Sequence, residues 1–414
     1  MSIGLIYSQK ASSWKSCTKI VANLLASYSE LRDQHDFIEY FFDKGMSDSK
    51  LNHLVKKIEA DKNDELIFID HRPHPLELIK KLSQNNALPQ KITFHLYGNF
   101  MLDLSYWKET LALLNETLTK FIAASSKQAK VVESVLDVPE VLVCPYPVDE
   151  SIFKFAPDLR QNERQKRNLG KDDVVFLYTG RFSQDKNSID LLDLFSELHK
   201  KSDTRLKLFL AGTFDDLINP MLSTFHHPNN YQFKYLHHLK TLPKEVRDDI
   251  HFLGEVDDEQ LTRLYNMADI FISLSLYHDE DFGMSPIESL MCGTRAILTD
   301  WGGYHSFACP KTCSLIETKM TAQGAVYDKE MALELTAEAV LESRTDSIKF
   351  YHDRFSIKAV STILTQNISS FFSKSAAISE LGEEFLTEAQ FAYSTQRTEL
   401  SASFLKIYRN YASS

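Results

Sequence analysis

The stretch Leu276–Tyr304, LYHDEDFGMSPIESLMCGTRAILTDWGGY, carries the clearest structural signal in this 414-residue sequence. It follows an apolar run typical of a buried strand and turns through Gly283 before an amphipathic segment. Ser285 and Glu288 have the spacing of a capping box, which predicts a helix that begins there and ends at Gly293. The stretch therefore predicts a strand, a glycine turn and a helix in immediate succession.

The start of this predicted helix is a candidate anion site. The preceding strand, Ile270–Leu276, would end beside the first turn of the helix, where backbone N–H groups have no partner within the helix. These N–H groups and the positive end of the helix dipole would point at one place. We therefore expect a nucleotide diphosphate to bind against Phe282, Gly283, Met284 and Ser285.

Short apolar strands alternate with amphipathic helices along the rest of the chain, which is the pattern of parallel sheets wrapped by helices. The alternation stops at the charge-rich stretch Ala156–Asp173, which favours a linker, and restarts at Val174. The predicted strands are Ile3–Tyr7, Leu66–Ile69, Ile92–His95, Phe121–Ala124 and Val141–Cys144 before the linker, and Val174–Tyr178, Leu206–Ala211, Ile250–Phe252, Ile270–Leu276 and Ala296–Thr299 after it. We predict an α/β protein with two Rossmann-like domains, residues 1–168 and 169–348, and C-terminal helices over 349–414 that return to the first domain.

The glycine motifs of two large nucleotide-binding classes are missing. The dinucleotide fingerprint G-x-G-x-x-G needs three glycines after the first strand, but the glycines before residue 160 are Gly4, Gly45 and Gly98. The Gly-Lys pair Gly170–Lys171 lacks the earlier glycine and the following hydroxyl residue of a P-loop. An NAD- or FAD-dependent oxidoreductase and a P-loop nucleotide triphosphatase are therefore disfavoured.

The nine residues EDFGMSPIE, Glu280–Glu288, resemble the hallmark of the retaining GT-B glycosyltransferases of family 4, in which two glutamates flank a Phe-Gly turn. The resemblance implies two Rossmann-like domains facing each other across a cleft, a UDP- or GDP-sugar donor, and transfer with retention to a glycan, lipid-linked or protein acceptor. It also implies that Glu280 binds the sugar hydroxyls and that Glu288 binds the ribose. The alternative role of Glu288 is that of capping-box partner. Position 280 is expected to be structurally neutral, because it lies in a loop.

The resemblance extends upstream to TGRFSQDKN, Thr179–Asn187. It implies that Arg181 and Lys186 neutralise the diphosphate as the glycosidic bond breaks. Both could be ordinary surface charges, but their place after a buried strand favours the functional interpretation. The segment FLGEVDDEQLTRLYNMADIFI and the pair Gly302–Gly303 extend the resemblance over nearly all of residues 174–304.

The first domain carries a weaker resemblance. The segment TFHLYGN, Thr93–Asn99, looks like the family's strand-end histidine segment, which implies that His95 reaches the donor sugar. A core histidine is the alternative. Tyr146–Pro147 stands where the family has Asn-Gly, and SQKASSWKS, Ser8–Ser16, replaces its glycine-glycine loop. The implied catalytic residues are Glu280, His95, Arg181 and Lys186.

A metal ion is not expected, although Asp279–Glu280–Asp281 spells the D-x-D signature of the other large glycosyltransferase fold. That fold is a single domain, whereas this sequence predicts two. Cationic side chains and a helix N-terminus would replace the metal, and no other cofactor is expected. The histidine pairs His226–His227 and His237–His238 lie in a polar insertion, residues 214–245, where solvent exposure is favoured over metal binding.

Charge and composition narrow the partners and the compartment. The net charge is -11, and the acidic excess falls in the second half, which argues against nucleic acid as a partner. Scattered lysines in the first half favour a solvated surface but could rest peripherally on the inner face of a membrane: Lys15, Lys19, Lys56, Lys57, Lys80 and Lys81. The five cysteines lack paired C-x-x-C spacing, and MSIGLIY is interpreted as a strand rather than a signal peptide, so the cytoplasm is expected.

Two other functions stay open at this point. One is a non-catalytic nucleotide-sugar-binding or scaffold protein of the same fold, and the other is an NDP-sugar epimerase. Turnover of a donor with release of UDP or GDP would distinguish an enzyme from a binding protein. The tail, residues 373–414, carries an apolar helical stripe that would pack on the first domain or form a subunit contact. The oligomeric state is not predicted.

Overall fold

The computed structural model describes residues 1–10, 15–98, 100–215, 217–219, 224–225, 230–341, 348–370, 372–374, 376–395 and 399–413. These residues form two compact units. Unit 1 consists of Met1–Pro147, Phe355–Thr395 and Ser401–Asn410, and unit 2 consists of Val148–Arg354, Gln396–Leu400 and Tyr411–Ser414. The predicted pair His226–His227 lies outside the described residues, as do residues 11–14 of the segment that replaces the glycine-glycine loop.

Unit 1 is a parallel sheet with helices between its strands. Its N-terminal elements are β1 (Ser2–Tyr7), α1 (Lys15–Ser29), β2 (Asp36–Phe41), α2 (Asp48–Asp61), β3 (Glu65–Phe68), α3 (Leu76–Gln84), β4 (Lys91–Leu96), α4 (Leu104–Leu113), β5 (Leu118–Ala123), α5 (Ser126–Val135), β6 (Leu136–Asp137) and β7 (Leu142–Val143). The six-stranded sheet has the order β2-β1-β3-β4-β5-β7. The edge strand β2 was not predicted, because only two of its six residues are buried and it lacks a continuous apolar run.

Aromatic side chains on neighbouring strands hold the centre of unit 1. Phe94 of β4 stacks between Phe68 and Phe121, with ring centroids 5.1 and 5.6 Å away. Trp107 of α4 packs edge-on against Phe94 at 5.1 Å and is fully buried. Each such ring stabilises the fold by about 1.5–3 kcal/mol through removal from water. This packing explains why α4 lies on the face of the sheet that carries Phe94.

Unit 2 is a second parallel α/β sheet. Its elements are α6 (Pro157–Lys166), β8 (Val174–Thr179), α7 (Ser188–Lys201), β9 (Leu206–Ala211), β10 (Leu217–Asn219), β11 (Thr224–Phe225), α8 (Asn230–Thr241), α9 (Lys244–Asp248), β12 (Ile250–Gly254), α10 (Asp258–Met267), β13 (Ile270–Ser273), α11 (Met284–Met291), β14 (Arg295–Thr299), a 3-10 helix (Gly302–Phe307), β15 (Cys313–Ile316), β16 (Thr318–Thr321), β17 (Gly324–Tyr327), α12 (Lys329–Leu341) and α13 (Ile348–Phe355). The main sheet has the order β12-β9-β8-β13-β14-β15. In sequence order these strands run 3-2-1-4-5-6, the doubly wound Rossmann arrangement, which reverses direction between β8 and β13.

The stretch Ala156–Asp173, predicted as a linker, contains helix α6 and belongs to unit 2. Pro157 lies in the first turn of α6, where the missing N–H of proline removes no hydrogen bond within the helix. Arg160 donates to the carbonyl of Met267 over 2.8 Å and pairs with Asp269, and Arg164 also bonds Asp269. The linker prediction was wrong because these charges are not solvated: they fix α6 to the end of α10. The division between the units accordingly falls after Pro147, before residue 168.

The C-terminal part returns to unit 1 through α14 (Ile357–Ser369), β18 (Ala377–Ile378), α15 (Glu380–Thr395) and α16 (Ala402–Tyr408), and a short 3-10 turn follows at Arg409–Tyr411. Strand β18 pairs antiparallel with β6. The buried Lys120 ammonium of β5 donates to the carbonyl of Asn367 and lies 4.0 Å from the Phe372 ring centroid. Among the described residues, no helix is long and apolar enough to cross a membrane.

Candidate active site

The residues predicted to bind a nucleotide lie in unit 2, where β8 and β13 pair in parallel. The loop after β8 carries Arg181 and Lys186, and the loop after β13 carries Glu280. Because β8 and β13 flank the point where the strand order reverses, both loops lie at the place where open α/β sheets bind ligands. We call this place the carboxyl edge of unit 2, comprising residues 180–187, 274–283 and the first turn of α11.

The loop after β8 is held by a close approach of two glycines. A Cβ on Gly212 would lie 1.8 Å from the carbonyl oxygen of Gly180, so only glycine fits there. The Tyr178 hydroxyl donates to the carbonyl of Arg181 over 2.6 Å, and the Arg181 guanidinium pairs with Asp215. Tyr178 therefore holds the main chain of Arg181, and Asp215 holds its guanidinium.

The ring of Tyr277 contacts both predicted cations. The Arg181 guanidinium is 5.0 Å from the ring centroid, and the Lys186 ammonium is 4.9 Å from it. Such contacts of a cation with an aromatic face are favourable by about 0.5–2 kcal/mol. Tyr277 is buried, and the pKa of its hydroxyl is raised by burial and by Asp279. The ring therefore gathers two positive charges at the carboxyl edge.

Glu280 forms an ion pair with Lys186. Its carboxylate also accepts a hydrogen bond of 2.7 Å from the Ser275 hydroxyl, and the residue is only 7% exposed. The expectation that position 280 is structurally neutral was therefore wrong: it lies in a loop, but that loop is packed and its charge is paired. The two residues that the sequence assigned to the sugar and to the diphosphate lie in direct contact.

The pair Gly302–Gly303 packs against the main chain of the Glu280 loop. The N–H of Gly303 donates to the carbonyl of Glu280 over 2.7 Å. A Cβ on Gly302 would lie 2.3 Å from the Glu280 carbonyl oxygen, and one on Gly303 would lie 2.2 Å from that of Asp281. Both glycines are thus required for this close approach, which fixes the position of the Glu280 loop.

Helix α11 begins two residues earlier than predicted and without a capping box. Its N-cap is Gly283, at φ 105°, which has no side chain to accept from the N–H groups of the first turn. The prediction of Ser285 as N-cap was wrong, because the left-handed backbone of Gly283 starts the helix at Met284. At its other end the helix stops at Met291 and Gly293 adopts φ 79°, as the predicted glycine end requires.

Glu288 lies inside the first turns of α11 and is 2% exposed. The Tyr265 hydroxyl donates to its carboxylate over 3.1 Å and is itself 3.1 Å from the Thr179 hydroxyl at the end of β8. This chain of hydrogen bonds takes the place of the predicted capping-box bond. It holds the carboxylate of Glu288 in one orientation beside the carboxyl edge.

The D-x-D carboxylates have separate partners. The Asp281 carboxylate accepts from the Tyr411 hydroxyl over 2.8 Å, and the Asp279 carboxylate is 3.5 Å from the His278 imidazole. Burial lowers the pKa of His278, so its imidazole is neutral at pH 7. Among the described residues no group of three His, Cys, Asp or Glu side chains is placed to hold a metal ion.

Asp185 is a further acidic residue at the carboxyl edge. Removal from water raises the pKa of Asp185 to about 7, although Lys186 and Arg181 act to lower it. Its carbonyl accepts from the N–H of Leu276 over 2.8 Å, which joins the two loops. Sequence reasoning gave no role to the residues that support the predicted ones, although three of them lie in segments that carry the resemblance: Asp185, Asp215, Tyr265, Ser275 and Tyr277.

His95 lies in β4 of unit 1 and is 2% exposed. Its Nε2 is 2.8 Å from the Tyr28 hydroxyl, and burial lowers the pKa of His95 to about 3. It is therefore a neutral imidazole. The Tyr146–Pro147 segment has structural contacts of its own: the Tyr146 hydroxyl donates to the carbonyl of Leu96 over 3.2 Å, and Asn23 donates to the carbonyl of Pro147 over 2.9 Å.

A polar cluster that the sequence did not single out lies at the corresponding edge of unit 1, after β3 and β4. The Arg72 guanidinium is 3.7 Å from Asp70, 2.9 Å from the Cys17 sulfur and 5.2 Å from the Tyr97 ring centroid. Burial raises the pKa of the Cys17 thiol, so the sulfur is a neutral acceptor at pH 7. Arg72 is thus held among several side chains.

In sequence, this chain is similar to glycosyltransferases. Residues 160–342 match the family model described as Glycosyl transferases group 1, and the matched range includes the whole carboxyl edge of unit 2. Mannosylfructose-phosphate synthase of Agrobacterium fabrum is 28% identical over 274 residues, which are 64% of this chain and 53% of that protein. The chain therefore spans about half the length of this relative. Lipopolysaccharide 1,2-N-acetylglucosaminetransferase of Salmonella typhimurium is 23% identical over 75% of this chain and 74% of its own.

Solved structures share the fold at low sequence identity. HepE of Anabaena, crystallised with UDP-glucose, superposes with a TM-score of 0.59 at 15% identity over 90% of this chain and 100% of its own. Sucrose-phosphate synthase of Thermosynechococcus elongatus gives a TM-score of 0.59 at 16% identity over 89% and 98% of the two chains. The two parallel-sheet units are thus those of a GT-B protein, as predicted, and the family match and the relatives support a glycosyltransferase.

Proposed function

We propose that this chain, with its match to the group 1 glycosyl transferases over residues 160–342, is an enzyme that transfers a hexosyl group from a UDP- or GDP-sugar. The transfer retains the anomeric configuration, and the acceptor is a glycan, a lipid-linked sugar or a protein. One observation carries the proposal: the ion pair of Lys186 and Glu280 lies at the reversal point of a Rossmann sheet, and the loop that carries Glu280 leads into the N-terminus of α11.

The diphosphate is proposed to bind between two kinds of positive charge. Arg181 and Lys186, held on the Tyr277 ring, supply the cationic side chains. The first N–H groups of α11, from Met284 onward, supply the other side, because the N-cap residue Gly283 has no side chain to cap them. Negative charge grows on the diphosphate as the glycosidic bond breaks, and preorganised donors at that position lower the barrier without a metal ion.

The sugar is proposed to bind at Glu280. Its carboxylate is charge-paired with Lys186 and oriented by Ser275, so it is held ready to accept hydrogen bonds from sugar hydroxyls. A charged acceptor bonds a hydroxyl more strongly than a neutral one does, by about 1 kcal/mol. Because Lys186 contacts Glu280, the group that binds the sugar and the group that neutralises the leaving diphosphate are positioned together.

The ribose is proposed to bind at Glu288. Its carboxylate is fixed by the Tyr265 hydroxyl, and it lies on α11 close to the N–H groups proposed for the diphosphate. Two hydroxyls of a ribose can share one carboxylate, which makes this residue a determinant of nucleotide binding rather than of bond breaking. The proposed role of His95, contact with the donor sugar, is carried over from the sequence resemblance alone.

A panel of UDP- and GDP-sugars tests the proposal through release of the nucleoside diphosphate. The parent protein is expected to release one diphosphate, and Lys186→Met is expected to lower the rate by at least tenfold. Lys329→Met is the matched control, because Lys329 also pairs with a carboxylate, that of Asp190, and lies over a tyrosine ring. Binding without release for every sugar in the panel would identify a non-catalytic binding protein and contradict the proposal.

A further inference from the structure

The last residues of the chain pack on the Glu280 loop. Tyr411 belongs to unit 2 and is 1% exposed, and its hydroxyl donates to the Asp281 carboxylate over 2.8 Å. Its ring meets Trp301 edge-on, with centroids 5.6 Å apart. Residues 130 positions apart in sequence are thereby joined directly beside the proposed sugar-binding glutamate.

A second contact holds the tail in place two residues later. The N–H of Ser413 donates to the carbonyl of Thr318 over 3.2 Å, and the N–H of Thr318 donates to the Ser413 hydroxyl over 2.9 Å. Thr318 also donates from its own hydroxyl to the carbonyl of Asp300 over 2.9 Å. The tail is thus bonded to the start of β16, and Tyr411 is presented to the loop from a fixed main chain.

Tyr411 and the pair Gly302–Gly303 hold the Glu280 loop through different atoms. The glycines contact the carbonyl oxygens of Glu280 and Asp281, whereas Tyr411 bonds the Asp281 side chain. A Cβ on Gly302 would also lie 3.0 Å from the Tyr411 ring, so the ring closes over the same glycine. Gly302 and Gly303 therefore hold the main chain of the Glu280 loop, and Tyr411 holds the Asp281 side chain of the same loop.

We propose that Tyr411 is a positioning residue: its hydrogen bond to Asp281 fixes the loop that orients Glu280 toward the donor sugar. Tyr411 does not touch the proposed reacting atoms, and its effect passes through Asp281. Its consequence for turnover rests on the proposed function, whereas its effect on the order of the loop does not. The segment around Tyr411 thus supports the proposed donor site in addition to packing on unit 2.

Removal of the hydroxyl alone tests the proposal. Tyr411→Phe keeps the ring on Trp301 but loses the bond to Asp281, and we expect the KM for the donor sugar to rise by roughly threefold to tenfold. Tyr327→Phe is the matched control, because the Tyr327 hydroxyl bonds the carboxylate of Asp190 over 2.9 Å outside the Glu280 loop. Equal KM values for the two variants and the parent would overturn the proposal.

Variants of Asp281, the residue that accepts the hydrogen bond from Tyr411, separate positioning of the loop from stability of the fold. Asp281→Asn keeps an oxygen that can accept from Tyr411 and should retain most of the parent KM, whereas Asp281→Leu should match Tyr411→Phe. In the double variant Asp281→Leu with Tyr411→Phe the two effects should not add, because both remove one bond. Additive losses would show that Tyr411 acts elsewhere and would overturn the proposal.

Hydrogen exchange keeps the proposal testable without turnover. Exchange at the amides of residues 277–285 should be faster in Tyr411→Phe than in Tyr327→Phe, with melting temperatures lowered by similar amounts. If the parent releases no diphosphate from any sugar while exchange changes as expected, the proposed function fails and the positioning role stands. Unchanged exchange at these amides would overturn the positioning role whatever the activity.

Discussion

Lys186 and Glu280 form an ion pair although 94 positions separate them in sequence. Their side chains are 14% and 10% exposed, so each charge depends on the other for compensation. The same two residues are proposed to hold the diphosphate and the sugar. A substitution of either residue is therefore expected to affect both the stability of the fold and the binding of the donor.

Glu280→Gln is expected to lower stability as well as turnover. The amide removes the carboxylate that forms the ion pair with the Lys186 ammonium, and the free energy of unfolding should fall by about 1–3 kcal/mol. Adding Lys186→Met should restore much of the melting temperature but none of the activity. Thermal unfolding and donor turnover of the single and double variants check this. A double variant less stable than Glu280→Gln would contradict the charge-pairing explanation.

Glu288 is expected to account for recognition of the ribose hydroxyls. The parent should bind UDP more tightly than 2′,3′-dideoxy-UDP, whereas Glu288→Ala should bind both with similar affinity, because the hydroxyls have lost their acceptor. Tyr265→Phe, which frees the carboxylate from its 3.1 Å hydrogen bond, should reduce the discrimination in part. Calorimetric titration supplies the dissociation constants. Full discrimination in Glu288→Ala would exclude the proposed contact.

Asp185→Asn is expected to stabilise the protein above neutral pH. The folded pKa of Asp185 is raised to about 7 from an ordinary 3.8, so the folded state binds the proton more tightly than the unfolded state does. The contribution of Asp185 to the free energy of unfolding therefore falls as the pH rises from about 4 to about 7. The difference in unfolding free energy between Asp185→Asn and the parent should grow in the variant's favour over this window. Urea unfolding at pH 4.5, 6 and 8 measures it, and a difference that is constant with pH would contradict the raised pKa.

Turnover is expected to persist in excess EDTA. Arg181, Lys186 and the first turn of α11 are proposed to neutralise the leaving diphosphate, so removal of divalent cations should change the rate by less than about twofold. The assay compares diphosphate release before and after chelation. Loss of activity that Mn²⁺ or Mg²⁺ restores would revive Asp279 and Asp281 as metal ligands.

Much of the fold follows from local patterns in the sequence. Buried strands such as β8 and β13 are short apolar runs bounded by polar or glycine residues, so their existence could be predicted without long-range information. Helix α6 could not, because a charge-rich segment resembles a linker until the partner of its arginines is known. That partner, Asp269, lies more than one hundred positions away.

The site shows the same division between local and long-range information. Glu280 and Glu288 are recognisable from their spacing around a Phe-Gly turn. The start of α11 was mispredicted, because the Ser285 capping rule competes with a glycine that adopts a left-handed backbone, and the glycine determines where the helix begins. Tyr265 and Tyr411 could not be found, because a tyrosine that orients a carboxylate looks like any core tyrosine in the sequence.

The difference in affinity between UDP and UMP tests the central claim most directly, because the two ligands differ only in the phosphate assigned to the carboxyl edge of unit 2. The parent is expected to bind UDP at least about tenfold more tightly than UMP. If the enzyme prefers guanosine nucleotides, GDP and GMP replace them. Lys186→Met and Arg181→Met should each reduce this preference severalfold, and Lys329→Met should leave it unchanged. Equal binding of the diphosphate and the monophosphate by the parent, or an undiminished preference in both cationic-site variants, would contradict the account.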